Sequence, residues 1–285
     1  MANNDVVPRD VRTLSVADRV VAEYDDGTAM PALSSPRPSL RAWSLTGRPV
    51  TQSAPDDHPH HRDLSLALPD VSGTTFWGGR TYVRDVGSTL LDNHGTQRVI
   101  DRRSTAAAVD EELEWLDRTG ARLLTESRRI AVSALAGGWM LRWTSRLRAV
   151  EPGVTLGSPQ TNGRAGAFYG GVFWRAPFET ADVVCASGTG VDAAHGSESP
   201  WLAVLTDEVS LVATAPAAPA APPPHWFIRT DGYVGFGPAT ATDTRREVPV
   251  GDPLELGLTV AVIDGRLSEE RAAAIGLDLS TGGES

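Results

Sequence analysis

The chain has 285 residues, 41% of them hydrophobic, and a formal net charge of −10. That length suffices for one sizeable buried core or two small ones, and the acidic balance excludes a surface built to neutralise nucleic-acid phosphates or to adsorb to anionic lipid. The sequence contains no lysine, which excludes Schiff-base and lysine-base chemistry and leaves arginine to hold carboxylates, phosphates or sugar oxygens.

The single cysteine, Cys185, permits no intrachain disulfide, so the fold does not depend on an oxidising compartment. Its neighbours Asp182-Val183-Val184-Cys185-Ala186 read as strand, and the thiol as buried and inert. The start Met1-Ala2-Asn3-Asn4-Asp5 lacks the positive residue and apolar run of a signal peptide. No stretch approaches the roughly 20 apolar residues of a membrane helix. A cytoplasmic protein with no membrane or nucleic-acid partner is expected, and a homo-oligomer is compatible with the sequence.

In chain order, segments 64–68, 75–84 and 97–102 read as strands. Segments 109–116 and 122–135 bracket Thr119-Gly120 as a hairpin, although Asp110-Glu111-Glu112 ahead of Leu113 and Leu116 also fits a helix. After the turn signal Gly137-Gly138 comes the clearest strand, 139–150. Trp139, Leu141, Trp143, Ser145 and Leu147 fall on one face, and Met140, Arg142, Thr144, Arg146 and Arg148 on the other. Further strands are expected at 169–175, 183–186, 202–205, 209–213, 226–229 and 254–263. The Ala/Pro-rich stretch 215–224 suits a linker or a long surface loop; strands of similar character resume after it, which favours a loop within one domain, 1–285. Ser268 caps a helix over 269–275 with acids in its first turn. The expected class is all-β, an antiparallel β-sandwich with one short C-terminal helix.

Half of the 6 histidines stand in Asp57-His58-Pro59-His60-His61-Arg62. In extended backbone His58 and His60 would point one way and His61 the other, although Pro59 disfavours a central strand. A His pair on one strand can chelate a divalent metal, but the glutamate of a cupin-type site is missing, since Leu64, Ser65 and Leu66 occupy its place. A second cluster is Asp92-Asn93-His94-Gly95, whose residues also favour a simple turn. Glu126 and Arg128 share the apolar face of their strand with Leu124, Ile130 and Val132; buried together, they need each other or a ligand. Tyr169, Gly171, Phe173 and Arg175 also share a face. Aromatic rings and arginine can line a sugar site, and the paired Gly170-Gly171 lets a backbone or a ligand approach closely.

Taken together, His58-Pro59-His60-His61-Arg62, Phe76-Trp77-Gly78-Gly79, Asp92-Asn93-His94-Gly95, Gly157-Ser158-Pro159 and Tyr169-Gly170-Gly171-Val172-Phe173-Trp174-Arg175 resemble, in that order, the motifs of the bacterial PmoA-like family, whose members are labelled methane oxygenase. The resemblance runs from about Pro36 to the last helix. It implies a galactose-mutarotase-like super-sandwich and, because members occur beside sugar-oxidoreductase genes, carbohydrate catabolism. It carries no catalytic residues with it. Asp63 stands where the resemblance implies a small residue, a change expected at the pocket mouth.

Three functions compete. The leading one is a carbohydrate-processing enzyme, a mutarotase, epimerase, lyase or hydrolase acting on a small sugar or oxidised sugar without a cofactor. In it His60, His61 and His94 supply acid–base catalysis, Glu126 orients an arginine or acts as a second base, and His58, Arg62, Trp77, Arg128, Tyr169 and Arg175 hold the substrate. The second is a metalloenzyme with His58, His60 and His94 on one divalent ion. The third is a non-catalytic sugar-binding or regulatory module.

Overall fold

The computed structural model describes residues 10–216 and 223–281. The N-terminal residues Met1–Asp5 and most of the Ala/Pro stretch lie outside them. Two antiparallel sheets face each other. The first runs Val11–Val16, Arg19–Asp25, Ser39–Ala42, Leu64–Ala67, Gly171–Arg175, Gly235–Pro238, Trp226–Arg229 in spatial order. The second runs Gly188–Thr189, Asp182–Cys185, Leu202–Leu205, Val209–Thr214, Leu254–Asp264, Gly138–Ala149, Arg122–Leu135, Ala108–Leu116, Thr96–Ser104. Among the described residues helix is confined to a turn at Ala32–Ser34, a short piece at Val191–Ala194 and the C-terminal helix Glu269–Ser280, and no helix is long and apolar enough to cross a membrane.

The period-two reading holds closely along Gly138–Ala149. Trp139, Leu141, Trp143, Ser145 and Leu147 are buried, and the residues between them are exposed or half-buried. Ala108–Leu116 is strand, not helix; its alternating burial is what an acidic outer face over an apolar inner one produces. The C-terminal helix is longer than expected. The Ser268 hydroxyl accepts from the Arg271 N–H at 3.2 Å, and Ala272 and Gly276 seat the helix on Trp201.

Two departures have clear causes. The expected strand 75–84 is a strand only at Thr81–Val83, because Gly78 and Gly79 adopt positive φ and turn the chain. The first hairpin, Val11–Val16 with Arg19–Asp25, escaped notice because its two central residues with positive φ are Ala17 and Asp18, not a glycine pair.

The central strands of the first sheet are buried on both faces, and this positions the site. In Gly171–Arg175, Val172 and Trp174 enter the core between the sheets, whereas Phe173 joins an outer aromatic cluster with Trp77, Phe168, Phe227 and Tyr233. Leu64–Ala67 repeats the pattern: Leu64 and Leu66 face inward, and Ala67 joins the outer cluster. In Trp226–Arg229, Trp226 and Ile228 face inward and Phe227 outward. At Gly171 a Cβ would lie 2.4 Å from the Pro238 carbonyl oxygen, so the glycine serves a close backbone approach.

Glu126 and Arg128 lie in the inter-sheet core, away from the outer cluster. Arg128 donates through Nε to Glu126 Oε1 at 2.7 Å and through Nη2 to Oε2 at 2.8 Å. It also donates to the Tyr24 hydroxyl at 2.7 Å and to Gln97 Oε1 at 2.9 Å. Tyr24 donates to Glu111 at 2.7 Å, Trp115 Nε1 to Glu126 at 2.8 Å, and Arg102 pairs with Glu111. Tyr24 belongs to one sheet and its partners to the other, so this network stitches the sandwich together. Burial opposes the Arg128 charge, but Glu126, Tyr24 and Glu111 more than offset that and hold the guanidinium protonated. The roles expected for Glu126 as a base and Arg128 as a substrate ligand are therefore replaced: each is the other's partner, and neither is exposed.

Removing one member strands the others without a counter-charge. Arg128→Ala should lower unfolding free energy by about 3–5 kcal/mol in urea titrations. Arg129→Ala, which breaks an exposed pair with Asp110, should cost under ~1 kcal/mol. Similar small losses for both would contradict the network's role.

Candidate functional site

The histidine segment is a pair of turns, not a strand. The His58 N–H donates to the Pro55 carbonyl and the His61 N–H to the His58 carbonyl, both at 2.9 Å. Pro59 sits inside the second turn, where its missing N–H is no loss. Folding the chain twice in seven residues gathers all three rings, which an extended segment could not do. The ring centroids of His58 and His61 are 4.7 Å apart, His60 and His61 4.8 Å, and His58 and His60 5.8 Å. His61 also meets Trp77 at 5.5 Å, Tyr233 at 5.3 Å and Phe173 at 5.8 Å.

Two arginines underlie the cluster. Arg37 is buried and donates to the His60 carbonyl at 2.8 Å, to the Ser34, Ser35 and Trp77 carbonyls, and to Ser65 Oγ. Every partner is neutral; burial and the charge of Arg62 pull its pKa down to about 9. Arg175 stacks 4.1 Å from the Tyr233 ring centre and reaches His61 Nδ1 at 3.4 Å. Burial, reinforced by the neighbouring imidazoles and guanidiniums, lowers His60 to about 4 and His61 to about 2. Both are neutral imidazoles near pH 7. His58 differs: its Nδ1 lies 2.8 Å from Asp57 Oδ2, and the His58 contact, against some desolvation, holds the Asp57 carboxyl below its ordinary range. In a neutral imidazole, a carboxylate acceptor at Nδ1 favours the tautomer with the proton there and the lone pair on Nε2.

These rings form one wall of a cleft of about 710 Å³, lined also by Trp77, Tyr169, Phe227, Tyr233, His195, Arg80, Arg164 and Arg229. That volume lies within the ~300–1,000 Å³ usual for small-molecule sites. Trp77 and Tyr169 lie 4.6 Å apart, and Tyr169 and Phe227 5.6 Å, as a continuous aromatic surface. Gly79 makes room for the cluster, because a Cβ there would lie 2.9 Å from His60 Nδ1.

Of the residues expected from sequence, His58, His60, His61, Trp77 and Tyr169 line the cleft, and Arg175 supports His61 from beneath. His94 stands behind the wall, its Nε2 2.8 Å from the Gly79 carbonyl, and so holds the Gly78-Gly79 turn. Arg62, next along the chain from His61, faces the opposite way into a cavity of about 340 Å³ with Glu23, Arg41 and Asp63. Asp63 is therefore not at the mouth of the histidine cleft; it is buried and accepts from the Thr51 hydroxyl at 3.0 Å. Glu126 and Arg128 are in the core, so Glu126 does not converge with the cluster as expected, whereas His94 adjoins it through the Gly79 turn, close enough to disfavour the charge of His60, without lining the cleft. Among the described residues no three His, Cys, Asp or Glu side chains are grouped to hold a metal ion, and His58, His60 and His94 are not arranged as a ligand set.

Arg37, His195, Phe227, Arg229 and Tyr233 were not foreseen. Phe227 and Arg229 could have been, since the period-two argument applied to Tyr169–Arg175 puts both on one face of 226–229. Arg37, between Pro36 and Pro38, carries no such signal.

The depressed pKa values fix a pH dependence. A histidine with a folded pKa below its unfolded value of ~6.5 leaves the unfolded chain binding more protons as pH falls. The stability that His60 and His61 contribute is thus complete above about pH 6.5 and lost as pH falls towards about 4 and below. Their ring resonances in NMR should stay at neutral positions from pH 8 to 5; titration of either ring above pH 6 would contradict this environment.

Comparison with known proteins supports the fold and corrects one expectation. The "Putative aldose 1-epimerase" from Escherichia coli K12 superposes with a TM-score of 0.52 at 10% identity over 90% of this chain and 99% of that one. A galactose mutarotase-like protein from Lactobacillus casei ATCC 334 gives a TM-score of 0.41 at 9% identity over 89% and 100%. At 10% identity the first likeness is one of fold: the mutarotase-like sandwich. No curated protein matches the sequence. Nothing points to the PmoA-like family labelled methane oxygenase, and that resemblance is withdrawn. Its short glycine- and aromatic-rich pieces mark turns and one strand of this sandwich: the His58–His61 turns, the Gly78-Gly79 turn and Gly171–Arg175. The family model that matches covers residues 12–275, and the chain accordingly belongs to the family of unknown function DUF6807.

Proposed function

We propose that the protein is a carbohydrate-processing enzyme, a single β-sandwich unit whose histidine cleft moves a proton on a sugar or oxidised sugar. The observation that carries the proposal is the cleft's composition: three packed imidazoles facing an aromatic wall of Trp77, Tyr169, Phe227 and Tyr233. Aromatic faces suit the C–H surfaces of a sugar ring, and polar groups at the edge fix its hydroxyls. The mutarotase-like fold of the E. coli "Putative aldose 1-epimerase" agrees with this reading.

Within it the roles of the histidines differ. His58, oriented by Asp57, presents a lone pair at Nε2 and is the proton acceptor, for example from a substrate hydroxyl. His60 and His61 are too strongly acidic when protonated to serve as bases near pH 7. Neutral, they donate hydrogen bonds to the oxygen on which negative charge develops. Arg175 and Arg37 favour that charge and keep the imidazoles deprotonated. His94 is a positioning residue, acting through the Gly79 carbonyl.

The test is exchange between sugar anomers, elimination or bond cleavage, followed by NMR over a panel of sugars and keto-sugars. On the substrate so found, His58→Ala should lower turnover by about a hundredfold or more, with the thermal midpoint little changed. Asp57→Asn should give a smaller loss, because an amide no longer dictates the tautomer. If the His60→Ala/His61→Ala double variant keeps full activity, the cluster is structural and the proposal fails.

A further inference from the structure

The cleft has an unusual charge balance for a chain of net charge −10. Arg80, Arg164 and Arg229 line it. Arg37 and Arg175 lie directly behind its histidines, bonded to the His60 carbonyl and to His61 Nδ1. Against these five guanidinium groups stand two carboxylates in the lining, Asp57 and Asp231, and Asp57 is engaged by His58.

None of the five arginines forms an ion pair with a carboxylate among the described residues. Many arginines elsewhere are compensated: Arg98, Arg122, Arg129 and Arg146 are each paired with Asp or Glu, although Arg19 and Arg148 also donate to backbone carbonyls. The cleft arginines use neutral partners instead. Arg80 donates to the Ser88 carbonyl at 2.8 Å and Arg229 to the Asp231 carbonyl at 2.6 Å. A carbonyl dipole positions a guanidinium without cancelling its charge, so the cleft keeps a positive field over an aromatic floor.

We infer that the substrate is an anionic sugar, one whose ring carries a carboxylate or a phosphate, with the ring on the aromatic wall and the anionic group held by Arg164, Arg229 and Arg80. The inference rests on the sugar-processing reading and narrows it. Planar guanidinium matches the two oxygens of either group. Arg164 is the key member, because it is exposed and makes no side-chain hydrogen bond or ion pair among the described residues, so its donors are available to a ligand.

The test is isothermal titration calorimetry of the full chain at pH 7 and low salt. The ligands are glucuronate, galacturonate, glucose 6-phosphate and galactose 6-phosphate, each against its neutral hexose. The inference predicts at least about tenfold tighter binding of an anionic member than of its neutral counterpart, weakening as salt is raised. Preference for the uronates or for the phosphates tells which anionic group is meant. Arg164→Gln should lower that affinity about tenfold, whereas Arg146→Gln, the same charge change on the far sheet, should alter it less than about twofold. A neutral hexose that binds as tightly as its anionic partner overturns the inference and leaves the sugar reading standing. Failure of every sugar, charged or neutral, sinks the sugar reading and the inference with it.

Discussion

The pleat of a strand buried on both faces governs this molecule. In Gly171–Arg175, successive side chains must leave the sheet on opposite sides, and both sides are covered. Val172 and Trp174 fill the core between the sheets, and Trp174 Nε1 donates to the Val50 carbonyl at 2.8 Å. Phe173 and Arg175 emerge on the other side, under the histidine turns. A slip of one residue in the pairing of Phe173 with Ser65 would exchange these sets. It would put an arginine into the apolar core and strip the cleft of its floor. Stability and site are fixed by the same register.

Burial then sets the chemistry. Arg37 and Arg175 bring positive charge beneath imidazoles that have lost much of their water, and both effects push the same way, towards neutral rings. The buried charges of the core are treated differently. There Arg128 and Arg102 are matched by Glu126 and Glu111, with Tyr24 and Gln97 taking up remaining donors. Matched charges hold the sheets together, and the arginines of the cleft rest on neutral groups instead. A site meant to receive negative charge, as developing charge or as a ligand group, has reason to leave its arginines uncompensated.

Much of this was legible beforehand. Period-two burial identified Gly138–Ala149, Arg122–Leu135 and the class of fold, because alternation is imposed by strand geometry alone. The clustering of His58, His60 and His61 and the face shared by Phe173 and Arg175 pointed to the site. What failed had local causes. Two successive turns around Pro59, rather than extension, gathered the rings. Glu126 and Arg128 were recognised as needing partners, but whether the partner is a ligand or a neighbour depends on Tyr24 and Glu111, residues 104 and 15–17 positions away in the chain. Arg62 and His61, adjacent in sequence, serve different cavities. Such separations are decided by packing, which a single sequence does not display.

The chemistry proposed for the three histidines requires that sugar bind in their cleft. The most direct measurement is chemical-shift mapping of histidine rings and tryptophan indoles while a panel of hexoses, hexuronates and hexose phosphates is titrated in. Binding in the cleft should move the rings of His58, His60 and His61 and the indole of Trp77 together, while the indole of Trp115, bonded to Glu126 in the core, stays still. A sugar that perturbs the residues around Glu23 and Arg62 and leaves the three histidines unmoved would contradict the account.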